Sequence, residues 1–347
     1  MASGRDEPRT RARAARPSSR PTSADVARAT GLSRATVSYV LNDTPHQAIP
    51  ETTRRRVLEA AAELGYTPSA AARALRSGRS DVVLALLPDW PIGPTVGALI
   101  EQLSAQLARK GLTFVVHPYA RGGRAMSEVW KAITPAAVVT FAELDQREAA
   151  TMRAAGVGLT VALFGGTGVG SHVLEVPEER AGRLQAEHLA AAGHRRLGYA
   201  FPDDERVLTF SGPRLDGARQ ACAELGMDEP MTHTVALSAE SAAVAINAWR
   251  QVDPPVTAVC AYNDEVALAV LAGLRELGLT APDDLAVIGV DDIPAASLAA
   301  PPLTTVKPDM AKVAQYIADT ITQRSDDLEP PLRPNSTVHT VMVRGSA

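Results

Sequence analysis

Apolar positions follow two different rhythms along this chain. Over residues 22–66 they recur at helical spacing only. A segment over 24–30 puts Val26 and Ala27 on one face, with Ser23 placed to cap its start and Gly31 to permit a tight turn. Ser33 is a second cap. The helix after it, 34–41, turns Val37, Val40 and Leu41 inward and leaves Arg34, Ala35, Ser38 and Tyr39 pointing out. A third helix over 51–64 carries Val57, Leu58, Ala61 and Leu64 on its apolar side, and Gly65 stops it. Two short helices around a glycine-containing turn, with a third behind them, predict a helix-turn-helix. Its second helix can enter a major groove by its N-terminal residues.

From residue 81 the rhythm changes. Strand-like runs at 82–87, 113–117, 136–140 and 159–163 alternate with helical patterns at 96–109, 126–133 and 146–155. A second series has helices at 179–192, 215–225, 239–251 and 264–277 between strands at 197–201, 235–237, 258–261 and 285–290, with a last helix over 310–321. Alternating strands and helices imply parallel sheets with right-handed crossovers, and two series imply two similar subdomains. Ligands of open α/β sheets bind at the carboxyl ends of the strands. The predicted fold is therefore an N-terminal all-α helix-turn-helix headpiece followed by an α/β core of two parallel-sheet subdomains. The expected boundaries are a basic tail without periodicity at 1–20, the headpiece at 21–67, a short Ala-rich helix and linker at 68–80, and the core at 81–347. Within the core, the first subdomain takes about 81–174 plus 308–325, the second about 175–307 plus 333–347. The helix begun at Ser69 spans about two turns. That is too short to be stable alone, so it needs a partner.

Charge sharpens this division. The 347 residues carry a net charge of -4, unevenly placed. Residues 1–80 hold 14 Arg and no Lys against 7 acidic residues, a balance of +7, and the remainder stands at -11. A basic head on an acidic body suits a polyanion at one end only. Cys222 and Cys260 cannot make a disulfide framework and are expected as buried thiols. No apolar run reaches membrane length and the first residues lack a signal peptide's apolar stretch, so a cytoplasmic protein without a membrane partner is expected. The glycine-rich run 165–170 lacks the lysine and hydroxyl ending of a phosphate loop, and no triad or metal spacing is present. Neither enzymatic activity nor a cofactor or metal is expected.

Ala24-Asp25-Val26-Ala27, Gly31-Leu32-Ser33, Ala35-Thr36-Val37-Ser38-Tyr39-Val40-Leu41-Asn42, Thr53-Arg54 and Ala62-Glu63-Leu64-Gly65-Tyr66-Thr67-Pro68 resemble the headpiece of the lactose-repressor/galactose-repressor family. Ala72-Arg73-Ala74-Leu75 resembles its hinge helix. The resemblance implies base reading by Arg34, Ala35 and Tyr39. Arg34 would pair bidentately with guanine and Ala35 would touch a thymine methyl. Thr22, Ser33, Thr36, Ser38, Asn42, His46 and Thr53 are placed for phosphate contacts, which position without specifying. At the hinge, Leu75 would wedge into the minor groove, Ala72 would allow close approach, and Arg73 would meet a phosphate or the groove.

The core motifs Arg214-Leu215-Asp216-Gly217, Asn263-Asp264-Glu265-Val266-Ala267-Leu268 and Val287-Ile288-Gly289-Val290-Asp291-Asp292 resemble the same family's effector-binding, periplasmic-binding-protein-like core. By that resemblance Arg214, Asn263 and Asp291 hydrogen-bond a polar ligand. The competing roles are a local Arg214–Asp216 ion pair and a helix cap at Asn263. The first half departs from the family: the loop 89–96 lacks the usual aromatic pair, and aromatic content is only 4%. Trp90 and Phe164 are the remaining ring platforms, with covering the hinge as the alternative for each. The implied function is a sequence-specific transcriptional regulator, a ligand-controlled repressor bound as a homodimer to a near-palindromic DNA operator, with a sugar or other small polar metabolite as effector. A non-sugar effector, a corepressor or no effector is the alternative.

Overall fold

A computed structural model describes residues 21–42, 47–66, 80–119, 129, 133–141, 146–155, 157, 160–163, 172–174, 176–322 and 339–347. The chain divides into two compact units, Met1–Gly78 and Arg79–Ala347.

The first unit contains α1 (Ser23–Thr30), α2 (Arg34–Leu41) and α3 (Glu51–Glu63). Val26, Ala27, Val37, Val40, Val57 and Ala61 form its core, with Leu32, Leu41 and Tyr66 packed on the edge. Gly31 ends α1 at φ 62°, the left-handed turn that glycine adopts without strain. The start of α1 corrects the expected cap. Thr22, not Ser23, is extended at the N-cap, and its N–H and hydroxyl both donate to the Asp25 carboxylate at 2.9 and 2.7 Å. Ser33 caps α2 by accepting from the Thr36 N–H at 3.0 Å. Arg56 of α3 donates to the carbonyl of Thr30 at 2.6 Å and so closes the C-terminal end of α1. Leu58 and Leu64, expected inside, are 49% and 38% exposed. Leu58 is rotated by about 100° from the Val57–Ala61 row, and Leu64 is the C-cap beyond the last turn.

The second unit holds two sheets. The first contains β1 (Val82–Leu87), β2 (Thr113–Pro118), β3 (Ala137–Thr140), β4 (Thr160–Leu163) and β5 (His172–Leu174) in the order β2-β1-β3-β4-β5, every pairing parallel. The second contains β6 (Leu197–Pro202), β7 (Met231–Val235), β8 (Ala258–Ala261), β9 (Ala286–Val290), β10 (Thr304–Pro308) and β11 (His339–Met342) in the order β11-β10-β9-β8-β6-β7. Only the β10–β11 pairing is antiparallel. Around them lie α4 (Pro94–Arg109), α5 (Gln146–Ala154), α6 (Glu178–Ala191), α7 (Leu208–Glu224), α8 (Ala239–Gln251), α9 (Asp264–Glu276), α10 (Pro294–Leu298) and α11 (Met310–Thr322). Val313, Ala314, Ile317 and Ala318 of α11 pack with Leu99, Leu103 and Leu107 of α4 on the first sheet. Trp249 and Tyr199 are the largest fully buried side chains of the second cluster, and Cys222 and Cys260 are buried free thiols.

Three expectations change here. The strand expected at 235–237 is β7, Met231–Val235, and Leu237 beyond it is 66% exposed. Helix α7 begins at Leu208, two turns before the expected start, because Pro213 lies inside it instead of marking its edge. The short elements β5, β10 and α10 fall outside the periodic runs. The helix expected over 126–133 lies largely outside the described residues.

One buried carboxylate ties together the loops at the carboxyl edge of the second sheet. Asp264, fully buried at the start of α9, accepts from the Ile293 N–H at 2.8 Å and from the Thr305 hydroxyl. Beside it, Asp292 anchors the loop after β9 to Lys307 at 3.0 Å and to Arg344. Burial pushes the Asp264 carboxyl up to about 7, against the lowering effect of its two hydrogen bonds. The folded chain therefore holds this proton to a higher pH than the unfolded chain, whose aspartates titrate near pH ~4. Stability from this group is highest below that unfolded value and falls as pH rises towards about 7. Denaturant unfolding at pH 5 and pH 8 should show a loss on the order of 3 kcal/mol. Asp264→Asn, whose amide can still accept from Ile293 and donate to Thr305, should reduce that dependence to the part left by Asp291, whose carboxyl burial also raises, to about 6. An unchanged slope in the variant would assign the effect elsewhere.

Candidate functional site

The first unit presents its outer face on α2. Packing Val37 and Val40 inward leaves Arg34, Ala35 and Tyr39 exposed at the start and middle of the helix. Arg34 makes no hydrogen bond or ion pair among the described residues, so its guanidinium fork is available. The expected phosphate-contacting side chains are tied to one another locally. The Ser33 and Thr36 hydroxyls are 2.9 Å apart, and the Asn42 amide donates to the Ser38 carbonyl at 2.6 Å and hydroxyl at 3.1 Å. The hydroxyl of Thr22 is spent on Asp25, and Thr53 is half-buried in the first turn of α3. His46, Ala72, Arg73 and Leu75 lie outside the described residues, as does Phe164 of the core.

The second unit contains a cavity of about 330 Å³ at the carboxyl ends of strands from both sheets. Trp90 follows β1, Phe141 follows β3, Asp203 follows β6, Leu237 follows β7, Asn263 follows β8 and Asp291 follows β9. Alternating strand and helix order brings residues so distant in sequence to one opening.

Its charged end is built on Arg214. Helices α6 and α7 cross so closely that a Cβ at Gly182 would come within 1.7 Å of the Arg214 carbonyl oxygen, and one at Gly217 within 1.9 Å of that of Glu179. This contact delivers Glu178, the first residue of α6, to the Arg214 side chain. Arg214 Nε donates to Glu178 Oε2 at 2.7 Å, Nη1 to the Tyr262 carbonyl at 3.0 Å, and Nη2 to Asp291 Oδ1 at 3.4 Å. The guanidinium also lies 5.1 Å from the Tyr262 ring centre. Burial alone would lower the Arg214 pKa, but Glu178 and Asp291 overcome it and hold the group charged. Asp291 sits at φ 114°; burial pushes its carboxyl up to about 6, opposed by Arg214. Gln185 of α6 adds a brace, donating to the Ala261 and Ile288 carbonyls at 2.8 and 3.1 Å.

The alternatives weighed from sequence resolve residue by residue. Arg214 does not pair with Asp216, which binds Arg219 at 3.3 Å. Asn263 does cap α9, accepting from the Val266 N–H at 2.9 Å, and it also lines the cavity. Trp90 lines the cavity edge-on to Phe210 at 4.6 Å and to Phe141 at 5.7 Å between ring centres. Sequence reasoning missed Glu178, Tyr262, Phe141 and Phe210. Glu178 stands just before the helix expected from 179, and Phe210 in the unassigned stretch between the strand at 197–201 and the helix expected from 215. An earlier start for both helices was the available signal.

Residues 22–69 match the description "Bacterial regulatory proteins, lacI family", and residues 186–347 match a periplasmic binding protein-like domain. The chain is 29% identical over 291 residues to the HTH-type transcriptional regulator DegA of Bacillus subtilis, covering 81% of this chain and 85% of that one. The lac repressor dimer bound to operator and the anti-inducer ONPF has a similar structure, with TM-score 0.73 and 25% identity over 94% of this chain and 99% of that one. A complex of the transcriptional regulator CelR with cellobiose matches at TM-score 0.62 and 26% identity, over 94% of this chain and 100% of that one. Among the described residues, no helix is long and apolar enough to cross a membrane. An N-terminal helix-turn-helix joined to a periplasmic-binding-protein-like core places the chain in the LacI family of DNA-binding transcriptional regulators.

Proposed function

We propose that the chain is a cytoplasmic, ligand-controlled repressor that binds a near-palindromic operator as a homodimer. The observation that carries ligand control is the buried Glu178–Arg214–Asp291 cluster opening on a cavity at the strand ends. The exposed face of α2 supports the DNA half, with Arg34, Ala35 and Tyr39 reading base edges. From the family resemblance come the roles of Ser33, Thr36, Ser38, Asn42, Thr22, Thr53 and His46 at phosphates. Leu75, with Ala72 and Arg73, takes the minor-groove role at residues 68–80. Twofold protein symmetry would be mirrored in the operator.

The effector would bridge the two sheets, meeting Arg214, Asn263 and Asp291 with its polar end and Trp90 with its body. Drawing the sheets together changes the spacing of the two hinge segments of a dimer and weakens their hold on DNA. Effector and operator then oppose each other by a coupling of about 1–3 kcal/mol. A sugar is the effector class that the resemblance suggests, and the CelR–cellobiose complex is a precedent among similar structures.

The reading is tested by fluorescence anisotropy on a palindromic duplex selected from random sequences. Challenge with sugars, nucleosides, amino acids and amines should release the protein for at least one compound. Tightening would reverse the control to a corepressor, and specific binding insensitive to all compounds would reject ligand control. Arg34→Ala should cost about 1–3 kcal/mol at one base position per half-site and flatten preference there. Unchanged preference would move readout off Arg34. Leu75→Ala should weaken specific binding more than nonspecific binding, and equal losses would reject the wedge. Arg214→Lys keeps the buried charge but loses the fork. It should spare operator affinity while weakening the ligand response about tenfold or more; a full response would remove Arg214 from the effector site.

A further inference from the structure

The walls of the cavity carry more chemical information than its location. Trp90, Phe141 and Phe210 make a joined aromatic wall, and Ile100, Leu237 and Val266 extend the apolar lining. Leu237 stands at the rim and is 66% exposed. A sugar offers hydroxyls in every direction and needs paired polar groups to replace their water. The polar groups here are partly committed. Three of the five N–H groups of Arg214 are given to protein acceptors, and the Asn263 oxygen is occupied by the α9 backbone.

The charges are also lopsided. Asp204 and Arg206 satisfy each other at 2.7 Å. That leaves Glu178, Asp203, Glu265 and Asp291 around the same cavity as the single guanidinium of Arg214. Asp203 and Glu265 are exposed and have no cationic partner among the described residues. Asp291 gives one oxygen, Oδ1, to the long 3.4 Å contact with Arg214, while its Oδ2 accepts no hydrogen bond among the described residues. A phosphate or carboxylate entering here would meet excess negative charge. An ammonium would complete the half-satisfied Asp291 carboxylate and lie beside aromatic faces that attract cations. The -11 balance of residues 81–347 favours approach of a cation as well.

We propose that the ligand of this cavity is an organic amine, its cationic head at Asp291 and its apolar, ring-bearing body against the Trp90–Phe141–Phe210 wall. This deepens the effector assignment above and rests on the cavity being the ligand site.

The test is calorimetric titration of the full chain at pH 7.5 with four probes: 4-phenylbutylamine, 4-phenyl-1-butanol, 4-phenylbutyrate and cellobiose. The first three share one body and differ only in head charge. The amine should bind about tenfold or more tighter than the carboxylate, with the alcohol between them. Asp291→Asn suits the left-handed backbone at φ 114° and leaves Arg214 paired with Glu178. It should remove the amine's advantage, bringing it down to the alcohol's affinity in the same variant. Phe210→Ala should weaken all three phenyl probes together, by about tenfold. Tighter binding of cellobiose or of the carboxylate overturns the proposal, as does an amine affinity unaffected by Asp291→Asn or the absence of binding by every probe. Operator release is measured beside binding. Amine binding without release leaves the ligand class standing and rejects ligand control. Release by cellobiose with no amine binding keeps ligand control and rejects the amine.

Discussion

A guanidinium removed from water must be answered by carboxylates and carbonyls within reach, and Arg214 imposes that condition on three other elements. Glu178 comes from the start of α6, the Tyr262 carbonyl from the end of β8, and Asp291 from the end of β9. Losing one partner of such a pair leaves an uncompensated buried charge, typically a cost of about 3–5 kcal/mol. The glycines at 182 and 217 follow from the same requirement, because only bare backbone lets α6 and α7 approach closely enough to join Glu178 to Arg214. The surrounding braces serve it too. Asp292 pins its loop to Lys307 and Arg344, and Asp264 pins it to Thr305 through the Ile293 N–H. The loop holding Asp291 in a left-handed backbone is thus held from both sides.

The first unit solves a different problem. Its core is made of small aliphatic side chains, Val26, Ala27, Val37, Val40, Val57 and Ala61, and so little apolar area offers modest stability. Local hydrogen bonds supplement it at the helix ends. Thr22 with Asp25, Ser33 with Thr36 and Arg56 with the Thr30 carbonyl each satisfy groups the helices leave open. Capping interactions of this kind are worth about 1 kcal/mol each. The inward use of Val37 and Val40 fixes what α2 shows to its surroundings, so packing and the exposure of Arg34, Ala35 and Tyr39 have one cause.

Much of the fold was legible because its signals are periodic. The alternation of strand and helix gave both sheets, and α8, with its clean amphipathic spacing, runs over the expected residues. Elements without periodicity were not visible. β5 is three residues long, and β10 begins with the β-branched run Thr304-Thr305-Val306 after two prolines, which reads as linker. In the site, Arg214, Asn263 and Asp291 were legible because each sits in a short motif with its neighbours. Glu178 and Phe210 were not, because their meaning comes from contacts 36 residues away in one case and across two sheets in the other. The exposure of Leu58 escaped for a geometric reason, since one step around a helix moves an apolar side chain from core to solvent.

The aromatic wall gives the cavity its mechanical sense. Trp90 and Phe141 belong to the loops of the first sheet, whereas Phe210 belongs to α7, which packs on the second. The Trp90–Phe210 contact therefore crosses between the two halves of the core, while the Arg214 cluster lies wholly on the second. A ligand can shift an equilibrium only by contacts that differ between its states. Contacts with Arg214 and Asp291 alone would anchor a ligand without distinguishing an open core from a closed one. Contacts with Trp90 are made only when the first sheet's loops stand close. In this architecture both ends would contribute to affinity, but only contacts that cross to the first sheet's loops would couple binding to a change of state.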